Sequence, residues 1–424
     1  MPTQNVLRHL HKIHYNKNPF ILTPVMKMKA SIIYILIFFC INTFAQDQGN
    51  LDSLLQAYRS QKEDTTKVGT IETIVASQLY VEPELAKKYA KEMVALSRKI
   101  KYPKGLARGY LRLGICFYYQ GLLDSARVYL KKAKFLNTKN AHNDLSLLFD
   151  YYFFSGAVYW NKKEYDSVFH YTNKCFDLYN NRDSSSTKQN EVFNKNIGRT
   201  YHLLGVVYEE FGMYNLALKN ELKSLKLLNE NGLGMSSMAG ATKNSLGIIE
   251  QKLENYEQAL IYFDDIILNH QDNNILTLIS MINRSLVLYY LNENEKAIDY
   301  FKNCLSLAQK LDDKFSEAIM WSNMGVSYNA LGKEKEAWDS FSKAGKIFKD
   351  LNVTRSTYCM GMGDYYYTKN ELDSTLYYAN KAIMASESTQ DLESSSQGYD
   401  FRHKVYKKMG NHKRALEDYE TYTK

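Results

Sequence analysis

The chain has 424 residues and a formal charge of +8, with 45% hydrophobic and 24% charged residues. Residues 1–45 hold five basic residues and no acidic one, so the rest of the chain is nearly balanced at +3. This balance gives no reason to expect nucleic acid binding. Only five prolines occur, and none follows Pro103, which argues against a large β-rich domain and favours long helices joined by short turns.

The first predicted element is a secretory leader. Lys27 and Lys29 precede an apolar run over 32–41, and Thr43 and Ala45 place small side chains at the two positions that a signal peptidase reads. The apolar run is far shorter than the roughly 20 residues that a membrane-spanning helix needs. We therefore expect export to the periplasm with cleavage after Ala45; an uncleaved N-terminal anchor is the alternative.

The leader sets the predicted division of the chain. Residues 1–45 form the leader, and its true start is expected at Met26 or Met28, because each begins a complete signal. Residues 46–66 form an N-terminal segment, and 67–424 form the repeats described next.

The rest of the chain repeats a pattern of small residues at intervals of 38 to 49 residues. The small residues are Gly114, Gly156, Gly205, Gly247, Ser285, Gly325 and Gly363. Twelve residues after each comes a second position, usually alanine: Ala126, Val168, Ala217, Ala259, Ala297, Ala337 and Thr375. Further small or apolar residues follow at helical spacing, so each unit is predicted to be two antiparallel helices in close contact.

Aromatic residues and glycines occupy fixed places in the same pattern. Aromatics lie three residues after a small residue at Phe117, Tyr159, Tyr208, Tyr328 and Tyr366. Glycines lie between the two predicted helices at Gly121, Gly212, Gly332 and Gly410. The aromatics are expected to fill the space beside the helix contact, and the glycines to end the first helix in a left-handed conformation.

This order of residues resembles the tetratricopeptide repeat (TPR). The unit at 321–344 carries its whole series: Trp321, Gly325, Tyr328, Ala337, Phe341 and Ala344. The resemblance covers seven units from about 104 to 388, with weaker units on either side. It implies an all-α solenoid, a right-handed superhelix of about 8–9 hairpins, which binds a protein or peptide in its concave groove and makes no membrane contact through its repeats.

Two departures from the motif are informative. The period of the repeat exceeds the 34 residues of the minimal motif. In this respect the units resemble the extended-helix subgroup, which binds peptides or partner domains. The longest step, 49 residues, contains a polar stretch over 180–190 that is predicted to be a surface loop.

The ligand-binding residues are predicted from their register on the first helix. Asparagines lie two or three residues before the small position at Asn244, Asn283 and Asn323. In peptide-binding relatives an asparagine near this position holds the ligand backbone through its paired donor and acceptor; the alternative is an ordinary exposed asparagine. Aromatics lie four residues after the small position at Tyr118, Trp160, Tyr289 and Tyr367. They would stack on a ligand or pack against the next repeat.

No catalytic, metal or cofactor site is predicted, because no sequence motif of such a site is present. Four cysteines follow the leader: Cys116, Cys175, Cys304 and Cys359. They lie on distant units, two of them at small buried positions, so we expect buried free thiols rather than disulfides.

The leader followed by degenerate repeats resembles the exported sensor region of Bacteroidetes signalling histidine kinases and helix-turn-helix regulators. That resemblance implies a sensor that passes a signal to an output domain. The chain ends at 419–424 within a predicted second helix, so a continuation is expected, and a membrane anchor would lie in that continuation. The alternatives are a stand-alone periplasmic scaffold and a fragment of a sensor histidine kinase whose catalytic half lies elsewhere.

Overall fold

A computed structural model describes residues 44–79, 82–139, 144–182, 187–269, 274–389 and 391–423. These ranges contain nineteen helices and no strand, which confirms the predicted all-α class. The predicted leader lies outside the described residues, apart from Phe44 and Ala45 in the first helix.

The described chain forms two compact units, one up to Ser280 and one from Met281 onward. The helices of the N-terminal unit are α1 Phe44–Ser60, α2 Thr65–Gln78, α3 Pro83–Lys99, α4 Pro103–Tyr119, α5 Leu123–Lys139, α6 Leu145–Asn161, α7 Tyr165–Asn180, α8 Thr187–Glu210, α9 Tyr214–Glu230, α10 Ser237–Lys252 and α11 Tyr256–Asn269. The next helix, α12 Asn274–Tyr290, contains the boundary. The helices that follow in the C-terminal unit are α13 Asn294–Lys310, α14 Lys314–Ala330, α15 Glu334–Asp350, α16 Ser356–Thr368, α17 Leu372–Ser388, α18 Leu392–Lys408 and α19 His412–Thr423.

From α2 onward the helices pair into nine hairpins, α2–α3 to α18–α19, each with a first and a second helix. Within each unit, neighbouring hairpins pack against one another, as α5 does against α6 and α17 against α18. The fold is therefore a solenoid of helical hairpins, and the predicted number of about eight to nine is confirmed for the described residues. The first hairpin begins at α2, where the Asp64 side chain accepts hydrogen bonds from the Thr66 and Lys67 amides.

The turn between the two helices has the same backbone conformation in all eight hairpins from α4–α5 onward. One residue of each turn has a positive φ: Gly121, Lys163, Gly212, Glu254, Asn292, Gly332, Asn370 and Gly410. The first seven of these lie seven residues after a small position. The predicted left-handed glycines are confirmed, since all four lie in this set. The four non-glycine residues of this set adopt a left-handed conformation that favours glycine. The geometry of the hairpin therefore outweighs the backbone preference of these residues.

Small residues of the first helix contact larger ones of the second helix. A Cβ placed on Gly114 would lie 2.9 Å from Leu130 Cγ, and one on Gly247 would lie 2.6 Å from Phe263 Cε1. The residues predicted twelve positions after the small ones are all completely buried: Ala126, Val168, Ala217, Ala259, Ala297, Ala337 and Thr375. The predicted helix contact is confirmed by this packing.

The aromatics three residues after the small position pack beside this contact. Phe117 stacks on Tyr129, with ring centroids 5.2 Å apart. Tyr366 stacks in the same way on Tyr378, at 5.6 Å. Both pairs join the first helix to the second helix of one hairpin, as the pattern predicted.

One predicted loop is shorter than expected. The polar stretch over 180–190 was predicted to be a surface loop, but α7 runs to Asn180 and α8 already begins at Thr187. Lys and Gln residues in the second half of the stretch are good helix formers. The 49-residue step therefore arises mainly from α8, which has 24 residues where most first helices have 16 or 17.

Candidate functional site

The predicted asparagines differ in how far they are exposed. Asn244, in α10 of the N-terminal unit, is partly exposed. In the C-terminal unit Asn283 and Asn323 are only 1% and 2% exposed. Their predicted position on a ligand-accessible surface is wrong, because two residues before the small position the side chain lies inside the helix layer. Their role in ligand binding is otherwise untested.

The predicted aromatics also fall into two groups. In the N-terminal unit Tyr118 and Trp160 are 4% and 3% exposed. Tyr118 packs against Phe154 of the next hairpin, with ring centroids 5.6 Å apart. These two side chains therefore fit the packing alternative better than the ligand-stacking one. Tyr289 and Tyr367, in the C-terminal unit, are partly exposed.

In the C-terminal unit, first helices bring four polar residues to one face. The Asn329 Nδ2 of α14 donates a hydrogen bond to Asp364 Oδ2 of α16 over 3.0 Å. The Thr368 hydroxyl lies 3.4 Å from Asn329 Oδ1. Tyr289 of α12 lies near enough for the Asp364 charge to raise its pKa. We call Tyr289, Asn329, Asp364 and Thr368 the Asp364 cluster.

The electrostatics of the Asp364 cluster arise from partial burial. Burial raises the pKa of the Asp364 carboxyl, and the hydrogen bond from Asn329 opposes that rise. Burial, together with the Asp364 charge, raises the pKa of Tyr289 to about 12. The tyrosine hydroxyl is therefore protonated at neutral pH. Asp364, Asn329 and Tyr289 each remain partly exposed, so a ligand can reach them.

Asp364 and Asn329 are not among the residues predicted from the sequence, although the register contains a signal for both. Asn329 lies four residues after Gly325, the same place as the predicted aromatics. Asp364 lies directly after Gly363, where the six preceding units have apolar residues: Ile115, Ala157, Val206, Ile248, Leu286 and Val326. A charged residue at a position that is otherwise apolar is the signal that could have identified it.

Three carboxylates of the N-terminal unit are arranged differently, because each is paired with an arginine. Arg108 contacts Asp144 over 2.7 Å and Glu72 over 3.3 Å, and Arg199 contacts Asp150 over 2.8 Å. These ion pairs connect the first helices of neighbouring hairpins.

A titratable pair is buried inside the α8–α9 hairpin. Glu221 is completely buried, and its Oε2 lies 2.9 Å from His202 Nδ1. Burial raises the pKa of Glu221, and the His202 contact opposes this. Glu221 occupies the place that Leu130, Phe263 and Phe341 fill in other hairpins. Gly205 makes room for it, since a Cβ there would lie 2.5 Å from Glu221 Oε1.

The cysteines and the wider surface offer little reactive chemistry. Cys116, Cys175, Cys304 and Cys359 are buried free thiols, and burial raises each pKa to about 12. Among the described residues, no group of three or more His, Cys, Asp or Glu side chains is placed to hold a metal ion. No helix in the described ranges is both long and apolar enough to cross a membrane.

Comparison with known proteins supports the tetratricopeptide type of repeat for part of the chain. The family model described as the tetratricopeptide repeat matches residues 238–310, from α10 to the end of α13. Residues 238–310 therefore match the tetratricopeptide repeat. A TPR repeat-containing protein of Methanocaldococcus jannaschii, MJ1428, is 23% identical over 344 residues, which cover 80% of this chain and 54% of that protein. This chain therefore spans about half the length of that relative.

Solved structures with the same fold include two TPR-like proteins. The apo form of the quorum sensor NprR from B. thuringiensis matches with a TM-score of 0.60 and 13% identity, over 88% of this chain and 97% of that one. A Rap protein complexed with competence and sporulation factor matches with a TM-score of 0.50 and 12% identity, over 76% of this chain and 97% of that one. At such identity the likeness concerns the fold alone.

Proposed function

We propose that this TPR chain is an extracytoplasmic protein- or peptide-binding module and the sensing part of a bacterial signal-transduction protein. The observation that carries the proposal is the Asp364 cluster, a partly exposed polar group on the first-helix face of a TPR unit. First-helix side chains are where peptide-binding relatives of the repeat hold their ligands. The quorum sensor NprR and the complex of a Rap protein with its factor share the fold and support a sensing role by analogy.

Export is proposed from the leader sequence alone. The full chain, expressed in a Gram-negative host, should appear in the periplasmic fraction with Gln46 as its N-terminus, determined by mass spectrometry. Leu36→Arg, which puts a charge in the middle of the apolar run, should keep the protein in the cytoplasm. A full-length, unprocessed protein in the cytoplasm would contradict the proposal. An uncleaved chain in the membrane fraction would favour the N-terminal anchor.

Ligand binding on the first-helix face can be tested by site-specific cross-linking. A benzophenone amino acid replaces Thr368, the exposed member of the Asp364 cluster, or Lys346, which is exposed on the second helix α15. After irradiation in periplasmic extract, a discrete cross-linked product is expected from position 368 and not from 346. Equal labelling at both positions would contradict binding at this face. A product that is a structural protein complex rather than a soluble peptide would favour the stand-alone scaffold over the sensor.

A further inference from the structure

Asp364 is a partly buried carboxylate that contacts no cation in the described chain. Its one polar partner is the Asn329 side-chain amide, at 3.0 Å. Two other carboxylates that are largely buried have an arginine partner: Asp150 contacts Arg199 at 2.8 Å, and Asp418 contacts Arg402 at 2.7 Å. Removing a carboxylate from water without a cationic partner is unfavourable. A cation bound next to Asp364 would therefore reduce the desolvation cost of its carboxylate.

We propose that the Asp364 cluster binds the cationic group of a ligand, the ammonium or guanidinium of a lysine or arginine side chain on a peptide or protein. This inference rests on the proposed function and names the chemical class of the ligand. The bound cation would take the place that an arginine occupies beside Asp150 and Asp418.

The hydrogen bonds of the cluster hold the carboxylate in position before a ligand arrives. Asn329 donates to Asp364 Oδ2 through Nδ2, and its own Oδ1 lies within reach of the Thr368 hydroxyl. Thr368 is in turn fixed by a 2.8 Å hydrogen bond to the Tyr365 carbonyl. Asp364 Oδ1 receives no hydrogen bond from the described residues and is left to accept one from a ligand. A pre-oriented acceptor loses little freedom on binding.

Aromatic side chains on this face favour a cation as well. Tyr289, whose hydroxyl stays protonated at neutral pH, lies within the electrostatic reach of Asp364. One turn along α16 from Asp364, Tyr367 already holds an ammonium, since Lys408 Nζ lies 4.2 Å from the ring centroid. Lys408 is therefore placed on the Tyr367 ring and forms no ion pair with Asp364.

The test compares peptides that differ only in one charge. The purified protein is titrated into fluorescein-labelled heptapeptide libraries with a fixed central lysine or a fixed central Nε-acetyl-lysine, and binding is measured by fluorescence anisotropy. Asp364→Asn removes the charge and keeps the shape. Asp339→Asn is the matched control, because Asp339 is an exposed aspartate of the same unit whose only ion pair within the described residues is with Lys343 on its own helix. Circular dichroism checks that both variants remain helical.

We expect the lysine library to bind about tenfold more tightly than the acetyl-lysine library, as one charge-assisted hydrogen bond would provide. The difference should persist in Asp339→Asn and vanish in Asp364→Asn. If wild type binds both libraries equally, or Asp364→Asn keeps the lysine preference, the cation site is wrong while peptide binding stands. If neither library binds, the cation site and the proposed function both fail.

A second measurement does not need a ligand. Without a cation, Asp364→Asn should leave the melting temperature at pH 7.5 unchanged or raise it, because it removes a poorly solvated charge. Asp150→Asn, which breaks the contact with Arg199, should lower it. If Asp364→Asn lowers the melting temperature as much as Asp150→Asn does, Asp364 has a structural role and the inference is overturned.

Discussion

Gly325 of α14 faces the ring of Phe341 of α15 so closely that a Cβ on Gly325 would lie 2.7 Å from Phe341 Cδ1. The same relation joins Gly114 to Leu130 and Gly247 to Phe263. A large side chain of the second helix therefore occupies the space that a small residue of the first helix leaves open. This contact sets how near the two helices of a hairpin can come.

A single methyl group at this contact should destabilise the protein. Gly325→Ala is expected to lower the free energy of unfolding by about 1–3 kcal/mol, the usual effect of overpacking. Gly69→Ala is the control, because Gly69 is an exposed residue inside α2 with no atom within 4 Å of its added Cβ. Gly69→Ala should raise the free energy of unfolding by up to about 1 kcal/mol, because alanine has a higher helix propensity than glycine. Thermal melting followed by circular dichroism measures both, and equal melting temperatures would show the register to be wrong.

The buried pair in the α8–α9 hairpin should respond unequally to removal of its two members. His202→Leu leaves Glu221 completely buried without its partner, so we expect a loss of roughly 3 kcal/mol. Glu221→Leu puts an apolar side chain where Leu130 lies in another hairpin and should be tolerated better. Melting temperatures at pH 7.5 compare the two variants. A larger loss for Glu221→Leu would mean that the pair contributes net stability.

Asn323 has both amide atoms buried without a hydrogen-bond partner in the described chain. Replacing a buried, unsatisfied amide with an apolar side chain of similar size removes its desolvation penalty, about 1–3 kcal/mol. Asn323→Leu should therefore raise the melting temperature. A fall would indicate that the amide has a partner in solution, such as an ordered water. Binding of the lysine peptide library by this variant shows whether Asn323 also contacts the ligand.

Asp364 should contribute to the pH dependence of stability with a definite sign. Its pKa is raised in the folded protein, so the folded state holds the proton at pH values where the unfolded state, with a pKa of about 3.9, has lost it. The contribution of Asp364 to stability is fully present below the unfolded pKa. It is lost as pH rises through the raised folded pKa.

Melting temperatures at a series of pH values test this sign. The melting temperature of Asp364→Asn relative to that of wild type should rise between pH 3.5 and pH 7.5. The exposed control Asp339→Asn corrects for the loss of one surface charge. A difference that moves the other way would mean that Asp364 is ion-paired in solution.

The packing of the hairpins could be predicted from the sequence because it depends on residues close together in the chain. Gly114, Ala126 and Phe117 define one hairpin by spacing alone, and the same spacing recurs in the units that follow. Helical periodicity translates such spacing directly into a shared face. The left-handed turn at Gly121 follows from the same register.

The candidate site could be predicted only in part, because it depends on how neighbouring first helices pack. The register selected Asn283 and Asn323 as accessible, but both side chains are buried. The register also did not predict Asp364, whose hydrogen-bond partner Asn329 lies 35 residues away on another hairpin. Spacing within one helix gives no measure of the distance between two helices, so burial and cross-helix hydrogen bonds required coordinates.

In the described chain, the helix pairs in close contact are first or second neighbours along the sequence. A segment of some 40 residues can therefore close on itself and then serve as a template for the segment that follows it. An early segment does not keep its hydrophobic surface exposed until a distant segment has been synthesised. The molecule is suited to vectorial assembly, one hairpin at a time, as the polypeptide emerges from the ribosome or from a translocation pore.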